Sequence, residues 1–173
     1  AMGNNPPNDP LALFPCPQLA PNREPDASEP VIAHCLLPIA PMTIDLALEA
    51  LMAGRVIGIP TDTVYGIGVD PMQEEALHRL YQIKGRPEDK PIPILAASLA
   101  DARGFGMIGD AVGKYWPGPL TVVVHRMLAT PRWIGDIVRG TVAVRVPDHP
   151  VALALLARSG PLAVTSANRS GEE

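Results

Sequence analysis

The sequence RVIGIPTDTVYG at residues 55–66 places a short apolar run directly before a polar loop. The run at 55–60 is aliphatic and ends at a proline, which predicts a short strand. Two threonines, an aspartate and a tyrosine follow it at residues 61–65. Because open α/β sheets build their sites at strand ends, this loop is a candidate clamp for a small polar molecule. A polar turn held by side-chain hydrogen bonds is the alternative interpretation.

Helices and strands are predicted in alternation around this stretch. The spacing of apolar residues predicts helices over 44–53, 74–84 and 150–158, a helical region near 110–115, and strands over 55–60, 91–97, 121–126, 141–146 and 162–165. This order predicts a mixed α/β domain, or α+β in some classifications, built in three layers.

Prolines divide the chain into two parts. Residues 1–41 hold ten of the 21 prolines and show no helical or strand period, which predicts a disordered arm before a domain at 42–173. The chain carries 14 Lys and Arg against 18 Asp and Glu, and the arm holds one and four of them, which leaves 13 and 14 in the domain. This near-neutral domain disfavours a strongly basic nucleic-acid binder. No apolar run reaches the roughly 20 residues of a membrane helix.

Three cations, Lys84, Arg86 and Lys90, lie within seven residues at the end of a predicted helix. Prolines at 87, 91 and 93 stiffen this loop, and converging fixed cations are suited to a polyphosphate. Cations also favour helix carboxyl ends for electrostatic reasons alone, so a purely structural role is the alternative. The Gly-x-x-x-x-Gly-Lys-Ser/Thr loop of nucleotide hydrolases is absent.

Two later strands end in candidate site residues. Alternation along 141–146 places Thr141, Ala143 and Arg145 on one face. An arginine within an apolar strand needs an anionic partner, which is either a structural carboxylate or a ligand carboxylate. After the strand at 162–165, Ser166 and Asn168 can hold phosphate or ribose oxygens, although such clusters are commonly ordinary turns.

Taken together, these segments resemble the threonylcarbamoyl-AMP synthase (YrdC-like) family in its bacterial-type, single-domain form. The resemblance covers residues 42–171. It rests on five segments in series: PTDTVYGIG, KGRPEDKP, WPGPLT, TVAVRVPDHP and PLAVTSANRSG.

The resemblance implies a fold and a reaction. The fold is a three-layer domain with a twisted mixed β-sheet and a concave basic groove. The enzyme would combine L-threonine, bicarbonate or CO2, and ATP into threonylcarbamoyl-adenylate and pyrophosphate in the cytoplasm. Mg2+ would accompany ATP, and no protein metal site is expected. The product would serve tRNA modification, with tRNA or a transferase complex as partner and no membrane.

The resemblance also implies roles for particular residues. The family's Lys-x-Arg and Ser-x-Asn motif falls on Lys84, Arg86, Ser166 and Asn168, the implied catalytic set. The implied ATP contacts are Arg86, Lys90, Thr141 and Ser166. Thr63 and Arg145 would hold L-threonine, with Arg145 on its carboxylate.

Two departures from the family pattern leave alternatives open. Some members carry a histidine where this chain has Leu95, a difference that bacterial-type relatives share. Relatives also continue past Ser-Ala-Asn for several elements, whereas this sequence ends at Glu173, which predicts a C-terminally short domain. The alternatives are a paralogue with another substrate, or an inactive fragment that acts as an RNA-binding or ribosome-associated module.

Overall fold

A computed structural model describes residues 41–168, with the backbone alone at residues 41–43. The arm predicted over 1–41 lies outside the described residues except for Pro41, and so do residues 169–173. The arm and the domain boundary therefore stay predictions.

Helices and strands alternate along most of the described chain. The helices are α1 (Pro41–Met52), α2 (Glu74–Lys84), α3 (Leu99–Ala102), α4 (Pro150–Ser159) and a 3-10 helix (Asp110–Tyr115). The strands are β1 (Ile57–Ile59), β2 (Gly66–Val69), β3 (Ile94–Leu95), β4 (Val122–His125), β5 (Thr141–Arg145) and β6 (Leu162–Ser166). No helix within residues 41–168 is long and apolar enough to cross a bilayer.

The predicted elements are present, together with two further elements that the sequence pattern does not predict. Helix α2 has the predicted bounds, whereas α1 begins three residues earlier than expected and β3 is only two residues long. Strand β2 falls outside the predicted strands because its sequence, GIGV, holds two glycines, which have low strand propensity. Helix α3 is a four-residue turn that begins after Ser98, whose side chain accepts a hydrogen bond from the Asp101 amide.

The six strands form one mixed sheet in the order β1-β2-β6-β3-β5-β4. All neighbouring pairs are antiparallel except β3 and β5, which are parallel. In this register Ile94 of β3 lies opposite both Val144 of β5 and Ala163 of β6. This three-residue row serves as a reference from which the positions of other residues along β5 and β6 can be counted.

Alternate residues of the strands enter two separate cores. One core contains Ile67, Val144 and Ala163 and packs against α2, whereas the other contains Ile59, Leu95 and Val164 and packs against α1 and α4. Since side chains alternate between the faces of a sheet, the two cores lie on opposite faces. The three layers predicted from the sequence are confirmed.

Candidate functional site

Lys84 is buried at the carboxyl end of α2, with 4% of its surface exposed. Gly85 follows with a φ of +60°, a conformation that glycine adopts without strain and that ends the helix. The Lys84 Nζ donates to the Ser166 carbonyl (2.7 Å), the Ser166 Oγ (3.2 Å) and the Asn168 Oδ1 (2.9 Å), and it also contacts the Asn168 carbonyl. Three of the four residues predicted as catalytic therefore meet, although they are up to 84 residues apart in sequence.

The environment of Lys84 disfavours its charge. Burial lowers the pKa of the Lys84 ammonium below its usual value, and the nearby positive charge of Arg86 lowers the pKa further. The contacts to Ser166 and Asn168 are to neutral oxygens, so among the residues that the structure describes, hydrogen bonds rather than a counter-ion hold the ammonium group.

Arg86 stabilises the loop that follows α2 through two side-chain hydrogen bonds to backbone carbonyls. Its Nε donates to the Lys90 carbonyl at 2.6 Å, and its Nη2 donates to the Pro91 carbonyl at 3.2 Å. Within residues 44–168, neither the Arg86 Nη1 nor the exposed Lys90 ammonium has a hydrogen-bond or ion-pair partner. Both groups therefore have donors left for an anion, although the loop itself is fixed.

Arg145 is held by three groups at the end of β5. Its Nε donates to the Gly118 carbonyl (3.0 Å), its Nη1 to the Thr63 Oγ1 (3.1 Å) and its Nη2 to the Asp62 Oδ1 (2.5 Å). Thr63 and Arg145, predicted to share a ligand, thus lie in contact. Asp62 provides an anionic partner for Arg145, so a structural carboxylate is present, and a ligand carboxylate at Arg145 stays a prediction.

Asp62 is the residue that the sequence prediction of the site omitted. It lies between Thr61 and Thr63 in the quoted loop, and Arg145 needed a carboxylate, so both parts of the signal were present. A backbone hydrogen bond also connects this loop to the residues around Lys84. The amide of Ala167, which lies between Ser166 and Asn168, donates to the Tyr65 carbonyl at 2.9 Å. One loop therefore connects the two groups of polar residues.

Thr141 lies at the opposite end of β5 from Arg145, about 13 Å away at the usual rise of a strand. Counted from the level of Val144 and Ala163, Thr141 and Ser166 are each three residues toward the same end of the sheet. They are two strands apart in the strand order, a spacing of about 10 Å. Thr141 therefore lies at the same end of the sheet as Ser166 and at the opposite end of β5 from Arg145.

Thr141, Ala143 and Arg145 are all half-buried and share one face of β5, as alternation predicted, while Val142 and Val144 are buried on the other. On the neighbouring edge strand, Val123 pairs with Ala143 and is 68% exposed. The face of β4 and β5 that carries Arg145 is therefore partly open. Leu95 pairs with Arg145 across β3 and β5 and is buried in the core with Ile59.

Within residues 41–168, no three His, Cys, Asp or Glu side chains gather into a potential metal site. A separate cavity of about 650 Å³ lies between α2 and the loop at 132–138. None of the predicted site residues lines this cavity.

Comparisons with known proteins find similar sequences and similar structures. A family model named Sua5/YciO/YrdC and described as "Telomere recombination" matches residues 49–173. A putative threonylcarbamoyl-AMP synthase of Mycobacterium tuberculosis is 42% identical over 130 residues, covering 72% of this chain and 59% of its own length. A threonylcarbamoyl-AMP synthase of Escherichia coli is 40% identical over 136 residues, covering 74% of this chain and 71% of its own length.

Among solved structures, P. abyssi Sua5 complexed with L-threonine is similar, with a TM-score of 0.69 and 36% identity. The match covers 76% of this chain and 40% of that protein. The chain thus spans about three fifths of the M. tuberculosis relative and two fifths of P. abyssi Sua5.

Proposed function

Because this chain belongs to the Sua5/YciO/YrdC family, we propose that it is a threonylcarbamoyl-AMP synthase. The proposed reaction joins L-threonine, bicarbonate or CO2, and ATP into threonylcarbamoyl-adenylate and releases pyrophosphate. The observation that carries the proposal is the convergence of Lys84, Ser166 and Asn168 beside the loop that contacts Arg145. We expect the enzyme to act in the cytoplasm and its product to be used for tRNA modification.

In the proposal, ATP occupies the end of the sheet that carries Ser166 and Thr141. Lys90 and the Arg86 Nη1 have donors available for phosphate oxygens, and the hydrogen bonds of Arg86 to the Lys90 and Pro91 carbonyls hold both cations in place. Thr141 and Ser166 are about 10 Å apart. A nucleoside triphosphate is long enough to contact both. These cations are the proposed source of the basic groove.

Mg2+ would enter with ATP rather than occupy a site of its own. The described residues offer no cluster of carboxylates for it, and Mg2+ is commonly bound by substrate phosphates with one or two carboxylates. When bound, it would neutralise charge on the leaving pyrophosphate.

L-Threonine would bind at the other group of polar residues. The guanidinium of Arg145 is a suitable partner for its carboxylate, and Thr63 lies beside that guanidinium. The threonine nitrogen, once carboxylated, would present a carbamate oxygen to the α-phosphorus of ATP. That oxygen forms the new bond to phosphorus while the bond to pyrophosphate breaks, so the protein contributes positioning and charge stabilisation.

The proposal is tested by measuring pyrophosphate release while L-threonine, bicarbonate and ATP are omitted in turn. We expect release only when all three are present. Arg86→Ala should lower the rate by about 100-fold or more, because it removes a fixed donor near the developing charge. Lys84→Ala is also expected to abolish turnover, whereas Arg145→Ala should mainly raise the KM for threonine.

The matched control is Lys114→Ala, since Lys114 is an exposed cation that contacts the ring of Tyr115 and none of the site residues. Its rate should equal that of the unmodified protein. Full turnover in the Arg86→Ala variant, or release that does not require threonine, would contradict the assignment.

A further inference from the structure

The side chains of Asp62 and Arg145 form a largely buried ion pair. One carboxylate oxygen of this pair has no hydrogen-bond donor among residues 44–168. The side chains are 14% and 12% exposed, and one carboxylate oxygen, Oδ1, lies 2.5 Å from the Arg145 Nη2. The second oxygen, Oδ2, contacts no hydrogen-bond donor within residues 44–168. A purely structural pair of this kind is commonly bidentate, with both oxygens on the guanidinium. Here one oxygen is left for another donor.

The guanidinium of Arg145 also retains donors. It has five N–H groups, and Gly118, Thr63 and Asp62 accept from one each. Within residues 44–168, two N–H groups on the terminal nitrogens have no acceptor, and Arg145 lies on the partly open face of β5. A carboxylate can therefore bind Arg145 without displacing Asp62.

Side by side, these unused atoms form adjacent sites of opposite charge. A free α-amino acid has the complementary arrangement, since its ammonium and carboxylate groups are attached to one carbon atom. We propose that Asp62 binds the substrate directly, with Oδ2 accepting a hydrogen bond from the α-ammonium group while Arg145 binds the α-carboxylate. The inference rests on the proposed function for the identity of the amino acid.

The same carboxylate would select against other anions. An anion without an amino group would gain the contact to Arg145 but would also meet the negative charge of Asp62, which costs binding free energy. Asp62 would therefore keep Arg145 from binding simple carboxylates or the phosphates of ATP. Loss of one hydrogen bond between charged groups typically weakens binding by about 10- to 100-fold.

The test compares two ligands by isothermal titration calorimetry on the full chain: L-threonine and 3-hydroxybutanoate, which keeps the carboxylate and hydroxyl but lacks the ammonium group. The unmodified protein should prefer L-threonine by about 10- to 100-fold. Asp62→Asn should lose most of that preference, because it weakens the binding of L-threonine while 3-hydroxybutanoate, relieved of the negative charge, binds as well as before or more tightly. Asp62→Glu, which keeps a carboxylate at this position, should retain much of the preference for L-threonine.

The matched control is Asp45→Asn, which breaks an exposed aspartate–arginine pair between α1 and α4. It should leave both affinities unchanged. Equal weakening of both ligands in Asp62→Asn would overturn the inference, since Asp62 would then only position Arg145. Equal binding of both ligands by the unmodified protein would also overturn it, with no variant needed.

The remaining outcomes separate this inference from the proposed function. If the protein binds L-threonine and Asp62→Asn keeps the preference, the role of Asp62 is wrong and the proposed function stands. If another amino acid replaces L-threonine with the same dependence on Asp62, the role of Asp62 stands and the threonine assignment is wrong. If no α-amino acid binds, both are wrong.

Discussion

Lys84 is the residue whose sequence context and tertiary environment differ most. In sequence it is one of three cations at the end of a predicted helix, but in the fold it is buried and surrounded by oxygens of Ser166 and Asn168. Four acceptors compete for its three N–H groups, so it holds the end of β6 against α2. Its proposed role in catalysis therefore includes maintaining the shape of the site.

The lowered pKa of Lys84 predicts how stability changes with pH. Between this lowered pKa and the ordinary lysine value of 10.5, the folded protein binds fewer protons at Lys84 than the unfolded chain does. The free energy of unfolding therefore gains a contribution that rises with pH across this window. The destabilising effect of the buried charge is fully present below the lowered pKa.

We expect the stability of the unmodified protein, relative to a Lys84→Met variant, to rise between neutral pH and pH 10.5. Urea unfolding of both proteins at a series of pH values measures the difference, and titration of other groups cancels in the comparison. Lys114→Met, at an exposed lysine, should show no such rise. A difference that is constant or falls with pH would contradict the expectation.

Among the elements, β2 packs closely against β6 because two of its four residues are glycines, which have no side chain. Gly66 and Gly68 face Val164 of β6, and a Cβ on Gly68 would lie 2.9 Å from the Val164 Cγ2 and 3.0 Å from the Ala163 carbonyl oxygen. These distances are shorter than ordinary contacts. Glycine here permits the close approach of β2 and β6, and this pairing positions the loop at 61–65 beside Ala167.

Gly68→Ala should lower the free energy of unfolding by about 1–3 kcal/mol, because the added methyl group forces β2 away from β6. Chemical denaturation measures this loss. The control is Gly109→Ala, since Gly109 has a negative φ and no atom within 4 Å of an added Cβ, and its effect should stay within about 0.5 kcal/mol. A neutral Gly68→Ala would show that the two strands have room to adjust.

For the molecule as a whole, the sheet separates two cores that lie on its opposite faces. Helices α1 and α4 pack on one face and α2 on the other. The β4–β5 part of the sheet carries the exposed Val123 on the same face as Arg145. Arg145 thus lies on the face that α1 and α4 pack against, at a part of the sheet that those helices leave incompletely covered.

This separation predicts that small changes in the two cores add. Ile59→Val and Ile94→Val each remove one methylene group from opposite cores, and each should cost about 0.5–1.5 kcal/mol of the free energy of unfolding. Because β1 and β3 are three strands apart in the sheet, about 14 Å, the double variant should equal the sum within about 0.5 kcal/mol.

The comparison pair is Ile94→Val with Val144→Ala, whose side chains lie opposite each other within one core. This double variant should depart from the sum by at least about 0.5 kcal/mol. Equal departures in both pairs would show that the cores are coupled through the sheet.

The bounds of α2 and the alternation along β5 follow from the sequence, because both depend on residues near in the chain. In α2, acidic residues begin the helix, Lys84 ends it and Gly85 follows, which matches the helix dipole and the preferred end residue. In β5, the two-residue period alone places Arg145 and Thr141 on one face. The polar loops at strand ends are equally evident in the sequence, since each directly follows an apolar run.

Strand β2 and the partners of Lys84 and Arg145 are decided only in the tertiary structure. Residues Gly66–Val69 have weak strand propensity and form a strand because β1 and β6 supply hydrogen bonds on both sides. Asp62 and Arg145 are 83 residues apart, and Lys84 and Ser166 are 82 apart. Local propensity depends on neighbours in the chain, whereas these contacts depend on strand order and register, which only the packing of the whole sheet fixes.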